Sequence, residues 1–388
     1  MTTYNFTTAP NRLGQHTYKW KEAEADAEIL PAWIADMDFE VLPAVREAVL
    51  AYADQLVYGY TYASPALYQS VLDWEEREHG YVFDKEAIVF IEGVVPAIST
   101  AIQAYTEEGD SVLINTPVYP PFARSVKLNK RKLITNSLVE QDGLFQIDFD
   151  QLERDLVEND IKLYILCNPH NPGGRVWEKD ILEKIGHLCQ KYGVLLVSDE
   201  IHQDLALFGH QHVSFNTINP SFKDFALVLT SATKTFNIAG TKNSYAVIEN
   251  PQLRKAFQAR QMANNQHEIS GLGYLATEAA YTQGKPWLTE LKIVLEENIN
   301  YAVEVLRDQT DIKVMKPQGT YLIWLDFSAY GLTDDELAAK LHDQAKVILN
   351  QGTDFGKEGS QHARLNVAAP KNLIEQICQR LVTTFPKK

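Results

Sequence analysis

The sequence predicts an α/β protein with a large unit built on a mostly parallel β-sheet and a smaller α+β unit beside it. Three observations carry this expectation. Between about residues 88 and 248, short β-rich runs alternate with helical patterns, which is how a parallel sheet covered by helices reads in sequence. After Pro251 the pattern changes to long helical stretches, and these are followed by further β-rich runs and a last helix.

Taken in order, the strand candidates are residues 87–93, 110–117, 131–138, 161–169, 193–200, 225–233 and 243–250. A helix is expected from Glu178, because Ile181, Leu182, Ile185, Leu188 and Cys189 recur at helical spacing before Gly193 stops it. One long helical stretch is expected from Pro251 to about Gln283 and a second from Pro286 to Gln309, with β-rich runs at 321–327 and 364–368 beyond. This divides the chain into a large unit, 48–285, and a second unit made of an N-terminal segment, 1–47, with a small C-terminal domain, 286–388. Residues 354–361 form a glycine-containing loop that is free to move in this reading.

The bulk composition excludes several partners. The 388 residues are 45% apolar, enough for a sizeable core and more than one domain. Lys and Arg total 36 against 51 Asp and Glu, a net charge of -15, so neither nucleic acid nor an anionic membrane attracts the chain. Cys167, Cys189 and Cys378 are odd in number and lack the spacing of a zinc site or disulfide framework. With no apolar run of membrane-spanning length, the expectation is a cytoplasmic protein.

Three motifs are set aside. Gly271, Gly273 and Ala276 fit a dinucleotide-binding pattern but lie in a helical stretch and follow no strand. His210 and His212 have no third ligand at metal-binding spacing and read as a surface loop. Ser231 and Lys234 match the Ser-x-x-Lys of serine acyl-enzymes without its companion elements.

A better account joins three strand ends: Asn168 to Gly174, Asp199 to His202, and Ser231 to Lys234. Taken singly, Asn171 is a turn residue, Asp199 a helix cap and Lys234 a surface charge. In an open parallel sheet, however, ligands sit outside the carboxyl ends of the strands, where these groups converge. An amine that condenses with an aldehyde must be available unprotonated, and burial or nearby cations lower a lysine's pKa. Lys234 suits that role. Asp199, after the apolar run 193–197, is the candidate for an acid that would keep a cofactor's pyridine nitrogen protonated. Gly93, Val94 and Val95, at a strand end before a helical pattern, offer backbone amides to a phosphate, with Ser231 and Lys242 supplying hydroxyl and cationic donors.

Seven strings, spread along nearly the whole chain, resemble the MalY/PatB group of cystathionine β-lyases within the fold-type-I pyridoxal-phosphate enzymes. They begin at Pro31, Tyr58, Gly93, Thr116, Ser198, Ser231 and Ala363. The resemblance implies an aspartate-aminotransferase-like fold and pyridoxal 5'-phosphate as cofactor. It also implies that Lys234 bonds the cofactor and Asp199 meets its ring nitrogen, with Asn171 on its phenolic oxygen and Tyr119 stacked on the ring. Arg364 is implied to bind the substrate's α-carboxylate, with Ala35, Asn171 and Tyr119 beside it. Tyr60 is implied to reach the phosphate of a neighbouring subunit, so that a homodimer shares its active sites. His202 and Lys242 stand where aminotransferases usually carry a tyrosine and an arginine, which points from transamination toward elimination. Thr241 is often a larger apolar residue in the group.

The expected activity is β-elimination from L-cystathionine and related cysteine S-conjugates. An aminotransferase and a cofactor-containing regulatory protein are the alternatives.

Overall fold

Each of the seven β-rich runs becomes a strand of one sheet. In the structure, a computed structural model that describes residues 3–388, they are β1 (Ile88–Ile91), β2 (Ser111–Thr116), β3 (Lys132–Ser137), β4 (Ile161–Cys167), β5 (Leu195–Asp199), β6 (Ala226–Thr230) and β7 (Ser244–Val247). Their order is β1-β7-β6-β5-β4-β2-β3. Pairing is parallel from β6 through β5, β4 and β2 to β3. β7 runs antiparallel to both of its neighbours, β1 and β6. Every residue of β2 and β6 is buried. A strand covered on both faces needs apolar side chains at consecutive positions, which is why these runs do not alternate.

The helices that cover the sheet include α1 (Val94–Tyr105) and α2 (Lys179–Tyr192). In α2, Glu178 is the residue before the first turn and Gly193 ends the helix at φ 67°, a left-handed conformation that costs a glycine little. The single helix expected from Pro251 to Gln283 is two, α3 (Pro251–Ala263) and α4 (Gly271–Gln283). The break is built by side-chain amides: Gln261 donates to the carbonyls of Phe90 and Gln266, and Asn264 donates to Gln103. Such bonds give the backbone an alternative to continuing the helix.

The 25-residue α5 (Lys285–Gln309) leads into a second sheet. Its strands are β8 (Lys313–Met315), β9 (Leu322–Asp326), β10 (Asn350–Gln351) and β11 (His362–Asn366), in the antiparallel order β8-β9-β11-β10. The last helix, α6 (Lys371–Thr384), packs with α5 over this sheet through Leu295, Ile299, Leu306, Ile374 and Ile377. Near the N-terminus, Leu30–Pro31 pairs in parallel with Val347–Ile348, which ties the first segment of the chain to the last.

The loop at 354–361 is tied down rather than free. It forms two short turns, Gly352–Phe355 and Lys357–Gly359. Phe355 is buried and its carbonyl accepts from the amide of Val118 at 2.9 Å, while Glu358 accepts from the hydroxyls of Thr116 and Ser137. His212 is also not on the surface: it is buried, with Nε2 2.9 Å from the carboxylate of Glu200. Among the described residues no helix is long and apolar enough to cross a membrane.

Candidate active site

Register brings the strand ends together. Cys167, the last residue of β4, lies opposite Asp199, the last residue of β5, and Asp199 lies opposite Leu229 near the end of β6. Parallel strands end on the same side, so the turns that follow them share one edge of the sheet. They surround a cavity of about 340 Å³. Ten of the residues singled out in the sequence line it: Ala35, Gly93, Val94, Val95, Tyr119, Asn171, Asp199, His202, Lys234 and Lys242.

Asp199 is buried, and its Oδ1 accepts from the backbone N–H of Ile201 at 3.1 Å. Burial pushes its carboxyl up to about 7, with Glu200 adding to the rise and Ile201 and Lys234 opposing it. It forms no ion pair among the described residues, so a cation arriving in the cavity would find an uncompensated buried acid. Lys234 projects from the short helix Ala232–Thr235, and its Nζ donates to the carbonyl of Ala35 at 2.6 Å. Burial lowers its pKa to about 8, as does the charge of Arg364, against Asp36 and Asp199. The same carbonyl accepts from the Tyr321 hydroxyl at 3.0 Å. His202 is held neutral because burial drives its pKa down to about 3; its ring meets Tyr321 edge-on at 6.1 Å.

At the other end of the cavity, Gly93 precedes the first turn of α1, which has no side-chain cap and no acidic residue there. The amides of that turn are therefore open to an anion. Lys242 lies at the rim, in a left-handed turn at φ 57°. Tyr119 is fixed from behind, its backbone N–H donating to the carbonyl of Asn171 at 3.1 Å and its ring packed edge-on to Phe122 at 6.1 Å.

Three expected residues stand elsewhere. Ser231 does not line the cavity; its hydroxyl donates to the carbonyl of Asn243 at 2.7 Å and accepts from the amide of Thr233, and Thr233 lines the wall instead. Arg364 is buried behind Asn171, donating to its Oδ1 at 2.8 Å, to the Trp33 carbonyl at 2.9 Å and to Asn350, with its guanidinium 5.0 Å from the centre of the Phe355 ring. Its Nε–H has no partner among the described residues. Tyr60 is 96% exposed, away from the cavity of its own chain. Tyr321 and Trp33 lie in segments the sequence marked, as a β-rich run and as the string from Pro31, and Asn350 in one it did not; no local pattern tied any of the three to this site, because only the fold brings them here.

The arrangement fits pyridoxal phosphate: a buried acid without a cation for the ring nitrogen, an amine of lowered basicity for the aldehyde, and open helix amides for the phosphate.

Comparison with known proteins agrees. The chain matches the family described as "Aminotransferase class I and II" over residues 34–381. It is 41% identical to the cystathionine β-lyase PatB of Bacillus subtilis, over 97% of this chain and 98% of that protein. Among solved structures it superposes on cystalysin from Treponema denticola, described as containing a pyridoxal 5'-phosphate cofactor, with a TM-score of 0.95, 34% identity and 99% of each chain covered. It likewise superposes on the pyridoxal-phosphate-bound C–S lyase of Staphylococcus hominis, with a TM-score of 0.93, 29% identity, and 99% of this chain and 98% of that one covered. The chain belongs to the aminotransferase class I and II family.

Proposed function

We propose that this protein is a pyridoxal-phosphate-dependent carbon–sulfur β-lyase that cleaves L-cystathionine and related cysteine S-conjugates to a thiol, pyruvate and ammonia. The observation that carries the reading is the pairing, in one cavity, of an amine of lowered basicity with a buried acid that lacks a cation. Full-length likeness to a cystathionine β-lyase favours elimination over amino transfer.

When bound, the cofactor supplies a cationic ring into which negative charge at the substrate's Cα can spread. The chain does the rest. Asp199 keeps the ring nitrogen protonated, Tyr119 sets the tilt of the ring, and His202 flanks it as a neutral group. Asn171 offers its amide N–H to the phenolic oxygen, since its carbonyl oxygen is taken by Arg364. The first-turn amides at Val94 and Val95, with Lys242, hold the phosphate. Arg364 binds the substrate's carboxylate, for which its partnerless Nε–H and the second N–H of its Nη1 are the donors still free.

Lys234, with a pKa near 8, has a lone pair available close to neutral pH and takes the Cα proton. The Cβ–S bond then breaks with its electron pair leaving on sulfur, and the proton held by Lys234 goes to that sulfur. Released aminoacrylate takes up one water and yields pyruvate and ammonia.

The reading extends to a homodimer. The segment from Leu56 to Tyr62 leaves Leu56, Val57, Tyr60 and Tyr62 exposed, an apolar surface that a monomer rarely leaves bare. A second copy covers it and receives Tyr60 at its phosphate. The large unit, 48–285, carries the cofactor, and 1–47 with 286–388 closes over the substrate. The three cysteines are free and buried, which suits a reducing cytoplasm.

Product analysis tests the reaction type. With L-cystathionine and no keto acid, thiol, pyruvate and ammonia should form in equal amounts, with pyruvate at least about ten times faster than any amino transfer when an acceptor is added. Conversion only in the presence of a keto acid, with no thiol released, makes the protein an aminotransferase.

A further inference from the structure

The carbonyl that holds Lys234 belongs to Ala35, in a segment without regular secondary structure between Ala32 and Leu42. Such a segment must be held in place by side chains. Arg364 and Asn366, both on β11, bind the carbonyls of Trp33, Ile34 and Asp36, and Asn237 binds those of Met37 and Phe39. Further support comes from the N-terminal arm. Arg12 grips Asp36 with two bonds, at 2.8 and 2.9 Å, and Asp38 with a third at 2.8 Å. Lys19 lies 2.7 Å from Asp38 and 3.6 Å from Asp36, and it donates to the carbonyl of Asp36 at 3.0 Å. The side chains of Lys19 and Asp38 are each 1% exposed. Two cations and two carboxylates thus balance inside the protein, one residue along the chain from the carbonyl that receives the Lys234 amine.

We propose that Lys19 and Arg12 are positioning residues for the elimination, fixing the Ala35 carbonyl against Lys234 and balancing the charge of Asp36 and Asp38 beside it. The inference rests on the reading of Lys234 as the base. A buried ion pair is weak evidence for stability in itself, but removing one partner leaves an uncompensated buried charge. Around Lys234, the charged groups are Asp36 on the arm side, Asp199 at the end of β5 and Arg364 on β11; Tyr321 and His202 face it as neutral groups. Without Lys19 the cluster carries an excess negative charge next to this nitrogen, which favours its protonated form.

The experiment uses cofactor-loaded enzyme. In Lys19→Met, kcat should fall about tenfold or more with KM changed much less, as for a misplaced reacting group. The acidic limb of the pH profile of kcat, which reports Lys234 once the substrate has freed its amine, should move to higher pH by roughly half a unit to one unit. Lys19→Arg should keep the wild-type limb. In Lys19→Met/Asp38→Asn, where a cation and a carboxylate leave together, the limb should return toward its wild-type position even though packing is changed at two sites. Hydrogen exchange gives a readout apart from activity: the amide of Asp38, bonded to the Ala368 carbonyl, should exchange faster in Lys19→Met.

If loaded Lys19→Met keeps the wild-type kcat and acidic limb, whatever its melting temperature, the cluster only fastens the arm and the proposal is wrong. Should that variant fail to fold, Arg12→Gln, at a more accessible position, is read by the same two criteria. Failure of the underlying reading looks different, because Lys234→Ala would then retain turnover.

Discussion

Asp199 ends β5 inside the protein, where burial pushes its carboxyl up to about 7 from an ordinary 3.8. A group whose folded pKa is raised contributes stability that is fully present below its unfolded pKa and is lost as the pH climbs through the folded one. In the cofactor-free protein the window for Asp199 therefore runs from about 3.8 to about 7. Asp199→Asn removes this loss. The cofactor-free variant should exceed the wild type in stability by on the order of a few kcal/mol at about pH 8, with the gain shrinking toward about pH 5. Urea unfolding at the two pH values measures it, and an equal difference at both would mean that another group titrates. With cofactor bound the order should reverse, because a protonated ring nitrogen then compensates the carboxylate. Lys234 works in the opposite sense: its depressed pKa makes the neutral amine the form the fold favours, and that contribution is lost as the pH falls through about 8.

At the scale of the element, α4 shows how packing reaches the site without touching it. Gly273 sits in its first turn, where a Cβ would lie 2.7 Å from the Thr241 carbonyl oxygen and 2.8 Å from the Cβ of Asn243. The glycine pattern at 271–276 thus serves close approach of a helix to the loop that carries Lys242. That loop is tied in turn to the Lys234 turn, through the bond from Ser231 to the Asn243 carbonyl. Gly273→Ala should cost roughly 1–3 kcal/mol from overpacking, lower the melting temperature and speed loss of cofactor on dilution, which the visible absorbance of the bound cofactor reports. A variant that melts early yet holds cofactor as tightly as the wild type would remove this loop from the phosphate site.

For the whole molecule the question is how many subunits make one site. Tyr60 is almost fully exposed while the residues it is expected to serve lie in a cavity of the same chain. If Tyr60 acts in trans, mixing Tyr60→Phe and Lys234→Ala homodimers under subunit exchange gives heterodimers with one doubly impaired site and one intact site. Activity should rise on mixing to about a quarter of the wild-type value, since half the dimers are mixed and each has one working site. Proven exchange with no recovery, despite a clear defect in Tyr60→Phe alone, would assign the tyrosine to its own subunit.

The sequence by itself determined the strands and where they end, because continuous apolar runs, each stopped by a polar turn, have one reading in a covered parallel sheet. That reading also led to Asn171, Asp199 and Lys234, which stand at those ends. It did not determine how helices pack or how side chains share their hydrogen bonds. The break between α3 and α4, the withdrawal of the Ser231 hydroxyl into its own turn and the burial of His212 against Glu200 each depend on which partner a polar side chain meets in the fold, whether 2 residues away, as Thr233 is from Ser231, or 171, as Phe90 is from Gln261. Tertiary structure alone decided that Arg364 stands behind Asn171, that Tyr321 and Lys234 meet at one carbonyl of Ala35, and that a partly buried four-charge cluster forms beside that carbonyl. The physical reason is that polarity and periodicity are local properties of a sequence, whereas the partner of a buried polar group is whatever the fold brings within about 3 Å of it.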